Sequence, residues 1–225
     1  MKTYIELEYK LSSSLPERFE NDDVRFPESL AELFIKEYSK LGDVVFDPFA
    51  GFGTTLIVAE RLDRIGFGIE YLEDRVDYIK GKIKNKENII NGSSLQMEKY
   101  DFPMIDLSIT SPPYMSRNDH EQYPFAAYAV TGDGYEQYLS DIKQIYVKLK
   151  EKLAPDAYAI IEIANIINHG MNTPLAWDVA KAVSDVLMFE KEIIICWKKS
   201  KDSQDEFNYG FGYDHSYCLI FKNVL

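Results

Sequence analysis

Apolar runs alternate with amphipathic stretches along most of the chain, and this alternation predicts strands separated by helices. The apolar runs predict strands in the stretch that begins at Val44 and over Ile65–Glu70, Asn88–Ser94, Ile105–Tyr114, Tyr158–Ile163, Lys191–Lys199 and His215–Lys222. Helical spacing of apolar positions predicts helices after Arg25 and over Thr54–Arg64, Tyr71–Lys86, Tyr135–Leu153 and Pro174–Phe189. This order is typical of an α/β fold with a doubly wound, mostly parallel sheet, and the last two strands are expected to form a hairpin.

The residues before Val44 add a strand, a linker and a helix to this pattern. Met1–Tyr9 alternates apolar and acidic positions, which predicts a half-buried strand outside the main sheet. Leu11–Asp23 is polar and is expected to be a linker. Pro27 suits the start of the following helix, and Gly42 is expected to stop it.

The stretch Val44–Thr55, VVFDPFAGFGTT, predicts a strand, a tight turn and the start of a helix. Glycines in such a turn let the backbone approach a ligand because no Cβ stands in the way, and the helix start offers unpaired N–H groups. The dinucleotide-binding fingerprint GxGxxG is not satisfied, since its third glycine position is occupied by Leu56. The turn is therefore predicted to bind a ligand of another kind.

A second motif lies about sixty residues further on. Ile105–Tyr114, IDLSITSPPY, is an apolar strand that ends in Ser111, Pro112, Pro113 and Tyr114. Both motifs fall at the carboxyl end of a predicted strand, where ligands bind in doubly wound sheets. We therefore expect the two strands to lie side by side.

Together, the two motifs resemble those of the S-adenosylmethionine-dependent amino-methyltransferases, which methylate exocyclic amines of bases in DNA. DPFAGFGTT is similar to the cofactor motif of that family, DPFxGxGTT, and TSPPY is similar to its catalytic motif, [D/N/S]PP[Y/F/W]. The resemblance implies a class I methyltransferase fold with a Rossmann-like sheet of seven strands, the last of them antiparallel. The serine form of the catalytic motif favours cytosine N4 as the target, with adenine N6 as the alternative.

The resemblance also implies a set of cofactor-binding residues for S-adenosylmethionine. Asp47 is expected to pair with the methionine ammonium, and Thr54 is expected to meet the carboxylate at the helix start. Glu70 stands about twenty residues past the turn, where an acidic residue binds ribose hydroxyls, although a surface glutamate is the alternative. The other candidates within the two motifs are Phe49, Gly51, Gly53 and Thr110. Two more lie outside the motifs, Phe26 before the first helix and Ser93, and for Phe26 a packing role is equally open. Ser93 stands in Gly92-Ser93-Ser94, where the family often has an acidic residue for the adenine amine.

The catalytic candidates are Ser111, Pro112, Pro113 and Tyr114. The Ser111 hydroxyl and the Pro112 carbonyl are expected to accept the two hydrogens of the target amine, and the two prolines hold these acceptors rigid. Tyr114 offers a ring on which an extruded base can stack. The alternative for this motif is a plain turn after a strand. No cysteine is placed as a nucleophile, which argues against methylation at carbon 5 of cytosine.

Length and composition are consistent with one globular domain spanning residues 1–225, with an N-terminal arm over 1–24, a catalytic core over 25–225 and no separate target-recognition domain. No apolar run is long enough for a membrane helix and the N-terminus lacks the pattern of a signal peptide, so the protein is expected in the cytoplasm without a membrane partner. Cys196 and Cys218 are expected to be small buried hydrophobes. No metal site is predicted from His120, His169 and His215.

The net charge of −12 is unusual for a protein whose expected partner is a nucleic acid. DNA is preferred over RNA as that partner, and a partner subunit or a second copy of the chain is a possible source of target recognition. The long segment Met115–Gly134 carries Arg117, Tyr123, Phe125 and Tyr128, which are expected either to contact a base or to cover the cofactor. The lysines between Lys80 and Lys86 are expected to form a solvated helix end. An RNA methyltransferase and a cofactor-binding subunit without catalysis are the competing hypotheses.

Overall fold

The computed structural model describes residues 2–11, 14–22, 25–117, 134–198 and 212–224. Within them, five α-helices and ten strands follow one another along the chain. The strands are β1 (Tyr4–Glu8), β2 (Val44–Asp47), β3 (Ile65–Glu70), β4 (Ile89–Asn91), β5 (Ile105–Thr110), β6 (Leu153–Ile163), β7 (Ile166–Asn168), β8 (Met171–Thr173), β9 (Met188–Lys198) and β10 (His215–Lys222). The helices are α1 (Glu28–Tyr38), α2 (Thr54–Arg61), α3 (Glu73–Lys80), α4 (Tyr135–Lys150) and α5 (Leu175–Ser184).

Eight strands form the main sheet, in the order β1-β9-β10-β6-β5-β2-β3-β4. β10 pairs antiparallel with β6 and β9, and the other neighbouring pairs are parallel. The mostly parallel, doubly wound sheet with an antiparallel last strand is thus confirmed. The strand number of seven is wrong, because β1 lies in the main sheet and not outside it. Its Tyr4–Glu8 pairs with Ile194–Lys198, while Ile5 and Leu7 pack against the apolar cluster beneath α1.

Helices cover both faces of the sheet. Adjacent residues of β2 show this, since Val45 packs in the cluster that includes α1, and Phe46 packs in the cluster that includes α4 and α5. All four residues of β2 are buried, as expected for a parallel strand covered on both faces. Cys218 is buried on β10 and Cys196 is half-buried on β9, both as free thiols. No helix in the described ranges combines the length and apolar composition needed to cross a membrane.

Other differences from the predicted elements have local causes. The predicted linker Leu11–Asp23 contains a 3₁₀ helix over Glu17–Asp22, and Phe19 packs edge-on against Phe52 of the glycine turn, with 5.1 Å between ring centroids. β6 begins at Leu153 rather than Tyr158, because the strand continues across a register shift between Leu153, which pairs with Ile105, and Tyr158, which pairs with Leu107. β7 and β8 form a small separate hairpin that was not predicted.

Close packing of α2 on β3 gives a prediction about stability. A Cβ on Gly66 would lie 2.8 Å from Leu56 Cα and 2.9 Å from the Leu56 carbonyl oxygen, both backbone atoms. Gly66→Ala should therefore force α2 away from the sheet and lower the free energy of unfolding by about 1–3 kcal/mol in urea denaturation. The control is Gly81→Ala, at an exposed αR position after α3, where we expect a change within about 0.5 kcal/mol. Equal stability of the two variants would contradict this packing argument.

Candidate active site

The two motif strands are neighbours in the sheet, as predicted. β2 pairs with β5 through Val45 and Leu107 and through Phe46 and Ser108. Asp47 ends β2 and Thr110 ends β5, so both motifs emerge at the same edge of the sheet. This carboxyl edge is the place where doubly wound sheets bind ligands.

Asp47 connects the two motifs. Its Oδ1 accepts hydrogen bonds from the Phe49 amide at 2.9 Å and from Thr110 Oγ1 at 2.5 Å. Its Oδ2 accepts a bond from Thr55 Oγ1 at 2.7 Å. The side chain is only 2% exposed, and this burial raises the pKa of Asp47 from 3.8 to about 6, although the three hydrogen bonds act in the opposite direction. A buried carboxylate of this kind gains from a bound cation, which is consistent with the predicted contact to an ammonium group.

The glycine turn has the backbone conformation that its sequence predicts. Gly51 and Gly53 have φ of 57° and 80°, in the left-handed region, and α2 begins at Thr54. A Cβ on Gly51 would have only the Phe49 carbonyl oxygen, at 3.9 Å, within 4 Å, so space is open there. A Cβ on Gly53 would instead lie 2.9 Å from Ile79 Cγ1. Gly51 therefore leaves room for a ligand, whereas Gly53 leaves room for α3.

Glu70 braces the turn from the neighbouring strand. Its Oε2 accepts a hydrogen bond from the Gly51 amide at 2.8 Å, and its Oε1 accepts one from the Leu72 amide at 2.9 Å. Burial raises the pKa of Glu70, against these backbone hydrogen bonds. Each carboxylate oxygen can accept a second bond, so both remain suited to hydroxyl donors. The ribose role of Glu70 stays a prediction.

Tyr100 is a residue near this site that the sequence did not indicate. Its hydroxyl accepts a hydrogen bond from the Ser93 amide at 2.9 Å, while Ser93 Oγ accepts one from the Leu95 amide at 3.2 Å. Ser93 thus caps the 3₁₀ helix Ser94–Lys99. Its predicted contact with the adenine amine stays a prediction, and the Tyr100 hydroxyl is a second polar group beside it. No local pattern could have identified Tyr100, because it reaches Ser93 through the fold of the intervening chain.

The residues Ser111–Tyr114 follow β5 directly and are fixed from two sides. The Tyr138 hydroxyl on α4 donates a hydrogen bond to the Pro113 carbonyl at 2.9 Å. The Tyr114 hydroxyl accepts one from the Ala164 amide at 2.9 Å and lies 3.4 Å from Glu162 Oε2. Pro112 is buried, whereas Ser111, Pro113 and Tyr114 are half-buried. The segment is therefore rigid at the sheet edge, and its catalytic role stays a prediction.

The other predicted residues are placed as follows. Phe26 is buried in the apolar cluster with Leu30 of α1, so it has the packing role that was open in the sequence, and its cofactor contact stays a prediction. Phe49 is half-buried against the cluster that includes α4, and Thr54 is buried at the first position of α2.

Arg117 is held by its neighbours. Its Nη2 pairs with Asp178 Oδ2 at 2.7 Å, and its guanidinium lies 5.5 Å from the centre of the Tyr135 ring. Tyr123, Phe125, Tyr128 and His120 lie outside the described residues. Among the residues that the structure describes, no three His, Cys, Asp or Glu side chains are grouped so that they could hold a metal ion.

Part of the sequence is similar to known DNA methyltransferases. Residues 8–81 match the family model N6_N4_Mtase, described as DNA methylase. The orphan methyltransferase M.BamHII of Bacillus amyloliquefaciens is 38% identical over 80 residues, which are 36% of this chain and 29% of that protein. The type II methyltransferase M.HinfI of Haemophilus influenzae is 41% identical over 81 residues, or 35% of this chain and 23% of that protein. The matches thus span less than a third of the length of these curated relatives.

A solved structure supports the fold over a larger part of the chain. The structure of TrmN from Thermus thermophilus aligns with a TM-score of 0.60 at 13% identity, covering 91% of this chain and 52% of that one. The segment that matches the family model contains α1, the glycine turn and Glu70. It does not reach Ser111–Tyr114. The part of the chain that contains α1, the glycine turn and Glu70 is therefore similar in sequence to the DNA methylase family.

Proposed function

We propose that the chain transfers a methyl group from S-adenosylmethionine to the exocyclic amine of a base in DNA, cytosine N4 in preference to adenine N6. The observation that carries the proposal is the contact of Asp47 with Thr110. It joins the end of the cofactor-motif strand to the residue immediately before Ser111. A donor at the glycine turn and an amine at Ser111 would therefore approach each other across two adjacent strands.

The residues at the turn fit the cofactor. Space is open at Gly51, and the buried Asp47 carboxylate suits the methionine ammonium. Glu70 presents two carboxylate oxygens for the ribose hydroxyls, and the start of α2 at Thr54 suits the methionine carboxylate. When bound, the cofactor supplies an electrophilic methyl group on a sulfonium.

Ser111 and Pro112 prepare the amine for attack. The lone pair of an exocyclic amine is delocalised into the ring, so the nitrogen is a poor nucleophile. The Ser111 hydroxyl and the Pro112 carbonyl accept its two hydrogens and favour a tetrahedral nitrogen, while Tyr114 stacks on the base. The bound cofactor would supply the methyl group and keep the electrons of its carbon–sulfur bond, while Ser111 and Pro112 would hold the amine nitrogen towards the methyl carbon and the proton lost by the nitrogen would pass to water. Positioning supplies most of the rate, and no covalent enzyme intermediate is needed.

The distribution of acidic residues reduces the conflict between the net charge of −12 and a polyanionic substrate. The three longest intervals of the sequence without Asp or Glu are residues 48–59, 107–118 and 163–177. They begin directly after β2, within β5 and at the last residue of β6, and each extends beyond the carboxyl end of its strand, at the edge that carries the candidate site. The lysines between Lys80 and Lys86 follow α3 at the opposite edge and do not contribute. We infer that phosphate repulsion is lowest where the base must enter.

Cofactor affinity is expected to fall as the pH drops through about 6, the pKa of buried Asp47. The ionised carboxylate attracts the ammonium group and the protonated form does not, so the affinity should decline by up to about tenfold per pH unit below that value. Because this pKa lies above the 3.8 of an unfolded chain, the ligand-free protein should lose stability as the pH rises from about 4 to about 6. Isothermal titration calorimetry between about pH 5 and about pH 8 checks the binding profile. Asp47→Asn should bind weakly at every pH, and a flat profile for the unaltered protein would contradict the assignment.

The test of the function is a methyl-transfer assay with tritiated S-adenosylmethionine. Total DNA and total RNA serve as substrates, and nucleoside analysis identifies the labelled base. We expect label in N4-methylcytosine or N6-methyladenine of DNA, and a loss of about 10–100-fold for Tyr114→Ala, the scale of one base–aromatic stack. Label only in RNA, or cofactor binding without transfer to either substrate, would overturn the proposal.

A further inference from the structure

The hairpin formed by β7 and β8 stands beside the candidate catalytic segment. Ile166–Asn168 pairs antiparallel with Met171–Thr173, and the turn between them consists of His169 and Gly170. Both turn residues have positive φ, 49° and 75°, as in the type I′ turns that match the twist of a two-stranded hairpin. The hairpin therefore has a defined conformation and a defined tip.

Side chains fasten this hairpin to the segment that follows the catalytic motif. Asn168 Nδ2 donates a hydrogen bond to Ser116 Oγ at 3.1 Å, and the Arg117 amide donates one to Thr173 Oγ1 at 3.0 Å. At the base of the hairpin, the Ala164 amide donates to the Tyr114 hydroxyl at 2.9 Å. One contact thus comes from each hairpin strand, and a third reaches the catalytic motif itself.

The pairing register separates the two faces of the hairpin. Residues directly opposite each other in an antiparallel pair share a face, so Met171 lies on the face of Asn168 and Thr173, which contact the catalytic segment. Ile167 and Asn172 lie on the other face, where Asn172 Nδ2 donates a hydrogen bond to the Tyr213 hydroxyl at 2.8 Å. Met171 is 53% exposed at the tip, on the catalytic side.

The segment that contains the hairpin carries no acidic side chain. Residues 163–177 form the longest interval without Asp or Glu in a chain that has 37 acidic residues. An exposed apolar side chain in an uncharged segment is the kind of group that DNA-bending proteins insert between base pairs. An enzyme that extrudes a base also leaves a gap in the stack, and an apolar side chain can fill it.

We propose that Met171 enters the base stack of duplex DNA beside the target and occupies the space left by the extruded base. This inference rests on the proposed function. The hydrogen bond that Asn168 donates to Ser116 and the one that Thr173 accepts from the Arg117 amide fix the distance between the inserted side chain and the residues that receive the base. Met171 is then a positioning residue, needed for a base that must leave a duplex and dispensable for a base that is already unpaired.

The test compares methyl transfer to native total DNA with transfer to the same DNA after heat denaturation. Met171→Ser should lower transfer to native DNA by at least about tenfold and transfer to denatured DNA by no more than about twofold. Met171→Leu, which keeps an apolar side chain, should retain most of the activity on native DNA. The control is Met188→Ser at the start of β9, a methionine of similar exposure, 43%, at the opposite edge of the sheet, with no expected effect on either substrate.

The outcomes separate this inference from the function on which it rests. Transfer by the unaltered protein with equal losses for Met171→Ser on both substrates, or with no loss on native DNA, would overturn the role of Met171 alone. Absence of transfer by the unaltered protein to any DNA would overturn the proposed function and this role with it. Thermal unfolding and cofactor binding of each variant show whether it is folded, and both should match the unaltered protein.

Discussion

Ser111→Ala is expected to lower the rate of methyl transfer by about 10²–10³-fold, the scale of removing one preorganised polar group from a reacting centre. The substitution deletes the hydroxyl that we propose accepts a hydrogen bond from the target amine. It leaves in place the contacts that fix the segment, namely those of Pro113 with Tyr138 and of Tyr114 with Ala164. Cofactor affinity should therefore be unchanged, and the loss should appear in kcat at saturating cofactor.

The matched control is Ser184→Ala, an exposed serine on α5 whose hydroxyl bonds to the carbonyl of Ala180 in the same helix. It should transfer methyl groups at the rate of the unaltered protein. Ser111→Asp places another acceptor permitted by the family motif at this position and should retain more activity than Ser111→Ala. Full activity of Ser111→Ala in single-turnover measurements would show that Ser111 takes no part in the reaction.

Glu70→Ala is expected to weaken S-adenosylmethionine binding by at least about 100-fold. Two hydrogen bonds from ribose hydroxyls to a carboxylate are each worth about 1.5–3 kcal/mol. The variant also removes the carboxylate that accepts hydrogen bonds from the Gly51 and Leu72 amides, so the glycine turn is less stable. Isothermal titration calorimetry measures the affinity, and urea denaturation measures the accompanying loss of stability.

Glu60→Ala is the control for the structural part of this effect. Glu60 also accepts hydrogen bonds from two backbone amides, those of Lys84 at 2.8 Å and Asn85 at 3.4 Å, but it lies on α2 away from the glycine turn. We expect Glu60→Ala to cost stability without changing cofactor affinity. If both variants reduced affinity equally, the loss would follow from lower stability and not from a contact of Glu70 with the ribose.

Elements defined by local patterns could be predicted from the sequence. β3 and β10 have the predicted bounds, since parallel and central strands are buried on both faces and appear as continuous apolar runs. The glycine turn could be predicted because positive φ at Gly51 and Gly53 is a local requirement. The neighbouring positions of β2 and β5 followed from the rule that ligands bind where strands end.

Features that depend on distant partners could not be predicted. The alternation in β1 indicates a half-buried strand but not its neighbour, and only the fold shows that it pairs with β9. Tyr100 and Tyr138 contribute hydroxyl groups to Ser93 and Pro113 across elements, without any local signal. β7 and β8 have three residues each, too few for a periodic pattern to identify them.

The hydrogen bonds of Asp47 have a consequence for how the cofactor and the base bind. The same carboxylate receives a hydroxyl from α2 through Thr55 and a hydroxyl from β5 through Thr110, one residue before Ser111. If Asp47 pairs with the methionine ammonium as proposed, cofactor binding changes the charge next to Thr110 and so the surroundings of Ser111. We therefore expect cofactor and base to bind interdependently, with coupling through a single carboxylate.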